Sequence, residues 1–468
     1  MASTNISLPV RPIPGSYGPP LFGSLKDRLD YFWFQGPESF FKSRAQKHKS
    51  TVFRTNIPPS FPFFLSINPQ VIALTDCKSF ATLFDMSIVE KKNILVGDFM
   101  PNVSYTGNMR VLAYLDPSEP KHAAIKSFAA DILKSSSRVW ASELTVNLER
   151  MWSAIEADVA ESGSASFPLP MQKFLFRFLT KVIVGADPTE YPDVGETGFA
   201  ILDKWLALQL LPTVSIRVLQ PLEEIFLHSF PYPFLLVSGG YKKLYNFIES
   251  GGRDVVAKGE REYGLTTEEA IHNLLFILGF NAFGGMSIFF LSLLSTIGRD
   301  KTGLQEKLRE EVRQSKGEIS FESVQRMELV QSTVVEVLRL NPPVPLQFAR
   351  AREDFVMSSH DAAFEVRKGE LLCGYQPLAM LDGKVFDRAE EFVADRFTGA
   401  KGKQLLNYVF WSNGPQTGTP STTNKQCPAK DYVVFTACMI VAWIFTRYDE
   451  FRCDDSSPAI TKVVTARK

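Results

Sequence analysis

The sequence predicts a mainly α-helical protein with a small β portion towards the C-terminal half. Helices are predicted where apolar residues recur at helical spacing or form long uncharged runs, above all over 274–297 and 323–340. Short runs rich in β-branched and aromatic residues predict strands at 349–355, 364–367 and 371–374. We therefore expect helices to form the body of the molecule.

The N-terminal half continues this pattern. Its predicted helices cover 37–47, 120–159 with an interruption at 135–137, 170–185 and 198–211, and its predicted strands cover 51–56 and 63–67. No internal repeat or flexible linker divides the 468 residues. We expect one domain over 1–468 that starts with an irregular segment over 1–36.

The composition is that of an ordinary globular protein. Lys+Arg and Asp+Glu number 51 each, so the basic excess typical of nucleic-acid binding is missing. The first twenty residues contain no apolar h-region and predict neither a secretory signal nor a membrane anchor. They do not form a clear targeting peptide either, which leaves the compartment open.

Two apolar stretches could be mistaken for membrane segments. Residues 274–297 carry no charge over 24 positions, but Asn281 and the pair Gly284-Gly285 lie at their centre. A helix buried through a large protein accounts for the run, with these residues marking a ligand surface. Residues 225–237 are too short to span a bilayer. They predict either a loop that touches a membrane or an oily substrate, or a packed core loop.

Cys427 follows a loop over 413–424 built almost entirely of Gly, Pro, Ser, Thr and Asn. Pro428 then begins a predicted helix that runs to about 445. Free N–H groups and the helix dipole there favour a thiolate, the form in which cysteine binds metals. The alternative is an isolated free thiol. The five cysteines and five histidines are scattered, which argues against a disulfide framework and a zinc site.

Four features occur in order: the uncharged helix, Glu336-x-x-Arg339, the segment AEEFVADRF with Arg396, and the aromatic–Gly loop that closes on Cys427. On spacing alone, Glu336 and Arg339 predict a surface ion pair. The order resembles the cytochrome P-450 superfamily over nearly the whole chain. The resemblance implies the cytochrome P-450 fold and haem b bound through the Cys427 thiolate. It also implies that Glu336, Arg339 and Arg396 form the structural salt-bridge triad of that superfamily.

The departures from ordinary members are informative. Lys425 stands where most members carry an arginine, two residues before the cysteine. Ser287 and Ile288 stand where monooxygenases carry an acid–threonine pair for splitting O2. Since Ser287 is no acid and Ile288 has no hydroxyl, they cannot relay protons in that way. We expect a substrate that already contains an O–O bond.

Several phrases resemble the motifs of the plant enzymes that metabolise fatty-acid hydroperoxides: allene oxide synthases, hydroperoxide lyases and divinyl ether synthases. They are NKQCPAKD (424–431), YLDPSEPKH (114–122), GFNAFGG (279–285) and PPVPLQ (342–347). The resemblance implies that Asn281 lies over the iron and orients the hydroperoxide. It also implies that Lys91, His122 and Lys126 contact the haem propionates. Without this resemblance, we would expect Lys91 and Lys126 to be surface lysines and His122 to be a core histidine.

Three positions favour one branch of that family. Allene oxide synthases typically have Phe, Ser and Lys where this chain has Leu95, Ala113 and Ser287. The resemblance is therefore greatest to hydroperoxide lyases that act on 13-hydroperoxides, with Asn281, Leu95 and Ala113 as residues that act on the substrate. Pro428, where lyases often carry Ala, keeps divinyl ether synthase as the alternative. Allene oxide synthase is disfavoured.

The implied reaction converts 13-hydroperoxides of linoleic or linolenic acid to short-chain aldehydes and oxo-acids. It needs no O2, NADPH or reductase partner. The family implies a plastid or its envelope, with peripheral membrane association; a cytoplasmic or microsomal location is the alternative. Two other classes of function stay open on the residues alone: an O2-dependent monooxygenase, and a non-enzymatic haem or membrane protein.

Overall fold

The computed structural model describes residues 8–315 and 317–466. Its α-helices are α1 Phe22–Leu29, α2 Pro37–His48, α3 Cys77–Phe80, α4 Pro120–Ser162, α5 Pro168–Leu179, α6 Gly198–Leu210, α7 Leu222–Phe226, α8 Ser238–Gly251, α9 Arg253–Tyr263, α10 Thr267–Phe276, α11 Gly285–Arg299, α12 Leu304–Gln314, α13 Phe321–Val324, α14 Glu328–Leu340, α15 Gln376–Ala379, α16 Gly399–Leu405 and α17 Lys430–Arg447. Segments of π-helix occur at Asp30–Phe34, Thr180–Val184 and Ile277–Gly284. The prediction of a mainly α-helical fold is confirmed.

The strands are short and form three small sheets. They are β1 Val10–Arg11, β2 Val52–Asn56, β3 Gln70–Leu74, β4 Val89–Glu90, β5 Ala165–Ser166, β6 Leu346–Ala351, β7 Phe355–Ser358, β8 Ala363–Val366, β9 Leu371–Tyr375, β10 Tyr448–Cys453 and β11 Ala459–Thr465. The largest sheet has the order β2-β3-β9-β6-β4, and the others are β1-β8-β7 and β10-β11-β5. Each sheet therefore joins strands from the N-terminal and C-terminal halves of the chain.

The uncharged run lies in a long helix at the centre of the fold. Helix α10, the π-helical segment Ile277–Gly284 and helix α11 form one continuous rod, Thr267–Arg299, long and apolar enough to cross a membrane. More than half of its most apolar window, 56%, is buried within the molecule. The rod packs against α5, α14 and β10. This packing accounts for the apolar run as a core helix.

Several predicted elements are confirmed closely, among them the helices at 37–47, 170–185 and 198–211. The predicted interruption of the helix at 135–137 is wrong, because α4 is continuous. The hydroxyl groups of Ser136 and Ser137 donate hydrogen bonds to the carbonyls of Leu133 and Lys134, at 3.1 and 2.7 Å. The serines thus satisfy their polar groups without ending the helix.

Two other predictions are wrong. The segment 63–67 forms turns, and the strand lies at Gln70–Leu74 instead. Three prolines precede the segment 63–67, Pro58, Pro59 and Pro62, and none of them has the backbone N–H that pairing in a β-sheet needs. The predicted helix over 323–340 is two helices, α13 and α14. The Glu311 carboxylate caps the second by accepting hydrogen bonds from the first-turn N–H groups of Leu329 and Val330, at 2.9 and 2.8 Å.

The irregular N-terminal segment is shorter than predicted. Residues 1–7 lie outside the described residues, but 22–34 are helical, as α1 and the π-helical segment Asp30–Phe34. Asp27 of α1 is buried and fastens this helix to the large sheet. Its carboxylate accepts hydrogen bonds from the Asn56 backbone N–H at 3.0 Å and from Arg44 at 2.6 Å. These distant partners give no local signal in the sequence.

Candidate active site

A cavity of about 380 Å³ lies between the long central helix and the Cys427 loop. It is lined by every residue for which the resemblance implies contact with haem or substrate: Lys91, Leu95, Ala113, His122, Lys126, Asn281 and Cys427. These residues come from five separate parts of the chain. The fold therefore gathers the predicted residues around one space.

The loop before Cys427 is tightly bonded rather than loose. Gln426 is buried at its centre and donates hydrogen bonds to Ser412 Oγ at 3.2 Å and to the Pro415 carbonyl at 2.7 Å. A Cβ at Gly414 or Gly418 would lie within 2.9 or 2.6 Å of the Gln426 side chain and would displace its amide from these hydrogen bonds. The polar composition of the loop reflects these internal hydrogen bonds.

Cys427 lies just before helix α17, which begins at Lys430 instead of Pro428. Burial raises the pKa of the Cys427 thiol, while the Ala429 N–H and the ammonium groups of Lys126 and Lys430 lower it less. The N–H of Ala429 favours the thiolate, as expected, but burial of the sulfur outweighs this effect. Coordination to a metal ion removes the proton of a cysteine thiol outright.

Two buried lysines face the same cavity. Lys91 donates a hydrogen bond to Asn413 Oδ1 at 2.7 Å, and Lys126 donates one to Asn424 Oδ1 at 3.0 Å. Burial lowers the pKa of Lys91 to about 7, helped by nearby Lys425, and burial lowers the pKa of Lys126 to about 8. Within the part of the chain that the structure describes, neither ammonium group forms an ion pair with a carboxylate, and Asp116 only partly offsets the desolvation of Lys91.

Lys425 is a third cation of this cluster, although its position in the sequence indicates only a departure from the usual arginine. Its ammonium group donates hydrogen bonds to the carbonyls of Leu112, Ala113 and Leu115, at 2.9, 3.1 and 2.9 Å. Burial, together with the charge of Lys126, lowers its pKa to about 7. Lys425 therefore couples the Cys427 loop to the turn that carries Ala113, a contact that sequence spacing does not reveal.

His122 completes the cluster. Its Nδ1 donates to the Thr422 carbonyl at 3.1 Å, and burial, with Lys425 and Lys126 nearby, lowers its pKa to about 4. Two carboxylates placed among these four groups would offset both their desolvation and their mutual repulsion. The cluster thus fits the propionates of a haem.

The opposite wall fits an apolar ring system. Ile288 belongs to the core helix and Val344 follows helix α14, yet their side chains are 52% and 51% exposed because they face the cavity. Gly285 leaves open space on the same wall, whereas Gly284 is needed for close packing, since a Cβ there would lie 2.6 Å from Leu206. A flat apolar group in this space would cover surface that is otherwise wet.

Asn281 lies within the π-helical segment of the central helix. Such segments occur frequently at functional sites because they re-aim side chains. Ser287, by contrast, is buried and its hydroxyl has no partner among the described residues, while Ile288 has no polar group. Asn281 therefore supplies the polar side chain of this helix that faces the cavity.

Glu336, Arg339 and Arg396 meet outside the lining of the cavity, fully or almost fully buried. The guanidinium of Arg339 makes two bonds to the Glu336 carboxylate, at 2.7 and 2.8 Å, and Arg396 Nε donates to Glu336 at 2.9 Å. Arg339 also donates to the carbonyls of Met380 and Ala389, both at 2.7 Å. The prediction of a surface pair from spacing alone is wrong, because these long-range partners bury it.

Asp116 is a buried carboxylate next to the cationic cluster. Burial raises its pKa, but hydrogen bonds from Lys91 N–H, Ser118 and Arg352 lower it more, to about 2. Since the folded pKa lies below the unfolded one, Asp116 stabilises the fold above pH ~4, and this contribution, about 2 kcal/mol, disappears as the pH falls towards 2.

We expect Asp116→Asn to lose this stabilisation at neutral pH, measured as a lower midpoint of urea unfolding. Asp455→Asn, at an exposed position, is the control; equal midpoints would contradict this role.

Comparison with known proteins agrees with this geometry. A family profile for cytochrome P450 matches residues 285–416. The chain is 60% identical to the fatty acid hydroperoxide lyase, chloroplastic, of Solanum lycopersicum, over 98% of both chains. It is 56% identical to the linolenate hydroperoxide lyase, chloroplastic, of Arabidopsis thaliana, over 98% of this chain and 94% of the relative. It is 44% identical to the allene oxide synthase, chloroplastic, of Linum usitatissimum, over 99% and 87%. The chain thus belongs to the cytochrome P450 family, among its hydroperoxide lyases and allene oxide synthases, and this membership implies a haem held by a cysteine thiolate.

Proposed function

We propose that the chain is a fatty acid hydroperoxide lyase. It cleaves polyunsaturated fatty acid hydroperoxides, above all 13-hydroperoxides, into a short-chain aldehyde and an oxo-acid. The observation that carries this proposal is a cavity lined by Cys427, Asn281 and Leu95 in a chain 60% identical to a lyase throughout its length. The substrate brings its own O–O bond, so neither O2 nor NADPH nor a reductase is needed.

Haem b fits the residues of the cavity. Cys427 would bind the iron, the ammonium groups of Lys91 and Lys126 and the neutral imidazole of His122 would contact the propionates, and the charge of Lys425 would attract them. When bound, the haem supplies an iron that cleaves the O–O bond homolytically, with electron donation from the thiolate. The residues of the chain bind and orient the hydroperoxide and determine which product forms.

Asn281 is the residue placed to orient the hydroperoxide. Its side-chain amide offers two N–H donors and one carbonyl acceptor, which match the two peroxide oxygens and their proton. The neighbouring Ser287 and Ile288 are not acids, and the one hydroxyl of this pair, on Ser287, is buried without a partner among the described residues, so the pair does not pass protons from solvent. The site therefore binds a preformed peroxide and lacks the relay by which monooxygenases split O2.

Leu95 is the residue proposed to direct the product. It lines the cavity with an aliphatic side chain, which cannot stabilise a substrate carbon radical through a π face. We expect Leu95→Phe to lower the ratio of aldehyde to ketol by about tenfold, which corresponds to ~1.4 kcal/mol between competing steps. The ketols are hydrolysis products of an allene oxide and are quantified by mass spectrometry. Leu210→Phe, on another part of the wall, is the control; an unchanged ratio in Leu95→Phe would refute the role of Leu95.

The function itself is tested with purified holoenzyme under argon. We expect a 13-hydroperoxide of linolenic acid to lose its conjugated-diene absorbance rapidly without NADPH, and aldehyde to form. Divinyl ether synthase is the second candidate, since Pro428 lines the cavity beside Cys427. A divinyl ether as the main product would establish that candidate. No consumption of hydroperoxide would refute both and leave a monooxygenase or a haem carrier.

We further propose that the enzyme docks on a lipid bilayer through an apolar surface patch. The patch consists of side chains that are at least half exposed: Leu21, Phe22, Phe34, Val218, Leu219, Leu222, Ile225, Phe226, Leu235 and Leu236. The exposure within 225–237 rules out a wholly packed core loop. Arg28 joins the two parts of the patch through an ion pair with Glu224 at 2.6 Å. Helix α6 lines the cavity and leads into the patch, so an oily substrate has a short path.

Liposome binding tests the patch. We expect Val218→Asp with Leu235→Asp to weaken sedimentation with phosphatidylcholine vesicles by about tenfold, because two exposed apolar contacts with lipid are lost. Val356→Asp, at an exposed position on β7 outside the patch, is the control. Equal binding of both variants would contradict the proposal. Because the relatives are named chloroplastic, we propose a plastid membrane as the partner.

A further inference from the structure

Leu95 sits on a tight hairpin whose shape is set by its own backbone. Val96 and Phe99 exchange two backbone hydrogen bonds, at 3.1 and 3.0 Å. Gly97, at the turn between them, has a φ of +59°, a conformation that side chains other than glycine rarely adopt. The hairpin (residues 94–99) therefore presents Leu95 to the cavity as part of a defined unit.

The hairpin faces a second wall of the same cavity. Strand β6 contributes Leu346 and Phe348 to the lining. A Cβ at Gly97 would lie 3.8 Å from the ring of Phe348, which shows how closely the turn approaches this strand. The distance between Leu95 and Phe348 thus depends on how the hairpin is attached to β6.

An ion pair adds to the apolar packing that attaches the hairpin to β6. Asp98, at the hairpin turn, pairs with Arg350, which lies two residues beyond Phe348 on β6. Arg350 is itself held by a hydrogen bond to the Gly369 carbonyl at 2.9 Å. Both side chains are about a quarter exposed, so the pair contributes little to global stability. Because the ion pair joins two walls of the cavity, it can fix the position of Leu95 relative to Phe348.

We propose that the Asp98–Arg350 ion pair is a positioning pair that holds Leu95 against the substrate and so favours chain cleavage over competing rearrangements. Neither residue lines the cavity, and both act through the hairpin. The inference rests on the proposed lyase function. It assigns control of the product to residues outside the cavity.

The test uses holoenzyme variants and a 13-hydroperoxide of linolenic acid. We expect Asp98→Asn and Arg350→Gln each to lower the aldehyde-to-ketol ratio roughly two- to fivefold, with unchanged haem absorbance. The charge-swapped double variant, Asp98→Arg with Arg350→Asp, should recover most of the ratio. Hydrogen exchange at the Val96 and Phe99 amides should be faster in the single variants.

The matched control is Arg54→Gln. Arg54 pairs with Glu370 at similar exposure in the same sheet and, like Arg350, does not line the cavity, but its side-chain partners lie outside the hairpin. Unchanged ratios in both Asp98→Asn and Arg350→Gln, while Leu95→Phe changes it, would overturn the proposal. An equal effect of Arg54→Gln would overturn it too, since loosening of the sheet would then be the cause. If the wild type forms no aldehyde, it is the lyase function that fails.

Discussion

Cys427→Ala is expected to abolish haem binding through the thiolate and to lower hydroperoxide turnover by more than about a thousandfold. Cys427 lines the cavity opposite the central helix, and its backbone N–H is fixed to the Ser412 carbonyl at 2.9 Å. Alanine would leave the loop intact because this bond and those of Gln426 do not involve the sulfur. The change should therefore remove the ligand without unfolding its support.

The absorbance spectrum of the purified variant checks this expectation. The thiolate Soret signature should be missing from Cys427→Ala and retained in Cys438→Ala. Cys438 is also a buried free cysteine, but it lies within helix α17 and away from the cavity. A normal spectrum and normal turnover in Cys427→Ala would show that another residue binds the iron.

Arg339→Ala is expected to cost about 3–5 kcal/mol of folding free energy, which for a chain of this kind threatens folding altogether. It removes both bonds to the buried Glu336 carboxylate and leaves that charge with Arg396 and the Val393 N–H. It also orphans the carbonyls of Met380 and Ala389. Arg339→Lys should rescue little, because an ammonium group cannot reproduce the planar fork.

Urea unfolding and the yield of soluble protein measure this loss. The control is Lys403→Ala, which breaks an exposed ion pair with Glu328 and should cost less than about 1 kcal/mol. If Arg339→Ala unfolded at the same urea concentration as Lys403→Ala, the buried triad would have no structural role.

The local pattern of residue types predicts those features of the fold that depend on neighbours in the sequence. The uncharged run around Asn281 predicts a core helix, and the Gly/Pro-rich loop predicts the position of Cys427 near the start of a helix. Both follow from residues within about twenty positions of each other. The resemblance to a known family then supplied the remaining residues of the cavity.

Features that depend on distant partners could not be predicted in this way. The burial of Glu336 requires Arg396, sixty residues further along. Lys425 reaches carbonyls more than three hundred residues away, so its role is invisible in local spacing. The start of helix α14 depends on the Glu311 carboxylate of helix α12, and α1 is held by Asp27 against strand β2. In each case a hydrogen bond between distant residues determines a feature that local secondary-structure propensity does not.

The most direct test of the account is the identity of the products formed from one pure 13-hydroperoxide of linolenic acid, under argon and without NADPH. Mass spectrometry should find a short-chain aldehyde and an oxo-acid in equal amounts, together accounting for most of the substrate consumed. Ketols as the only products would contradict the account, because they would mean that the cavity around Leu95 and Asn281 forms an allene oxide without cleaving the carbon chain.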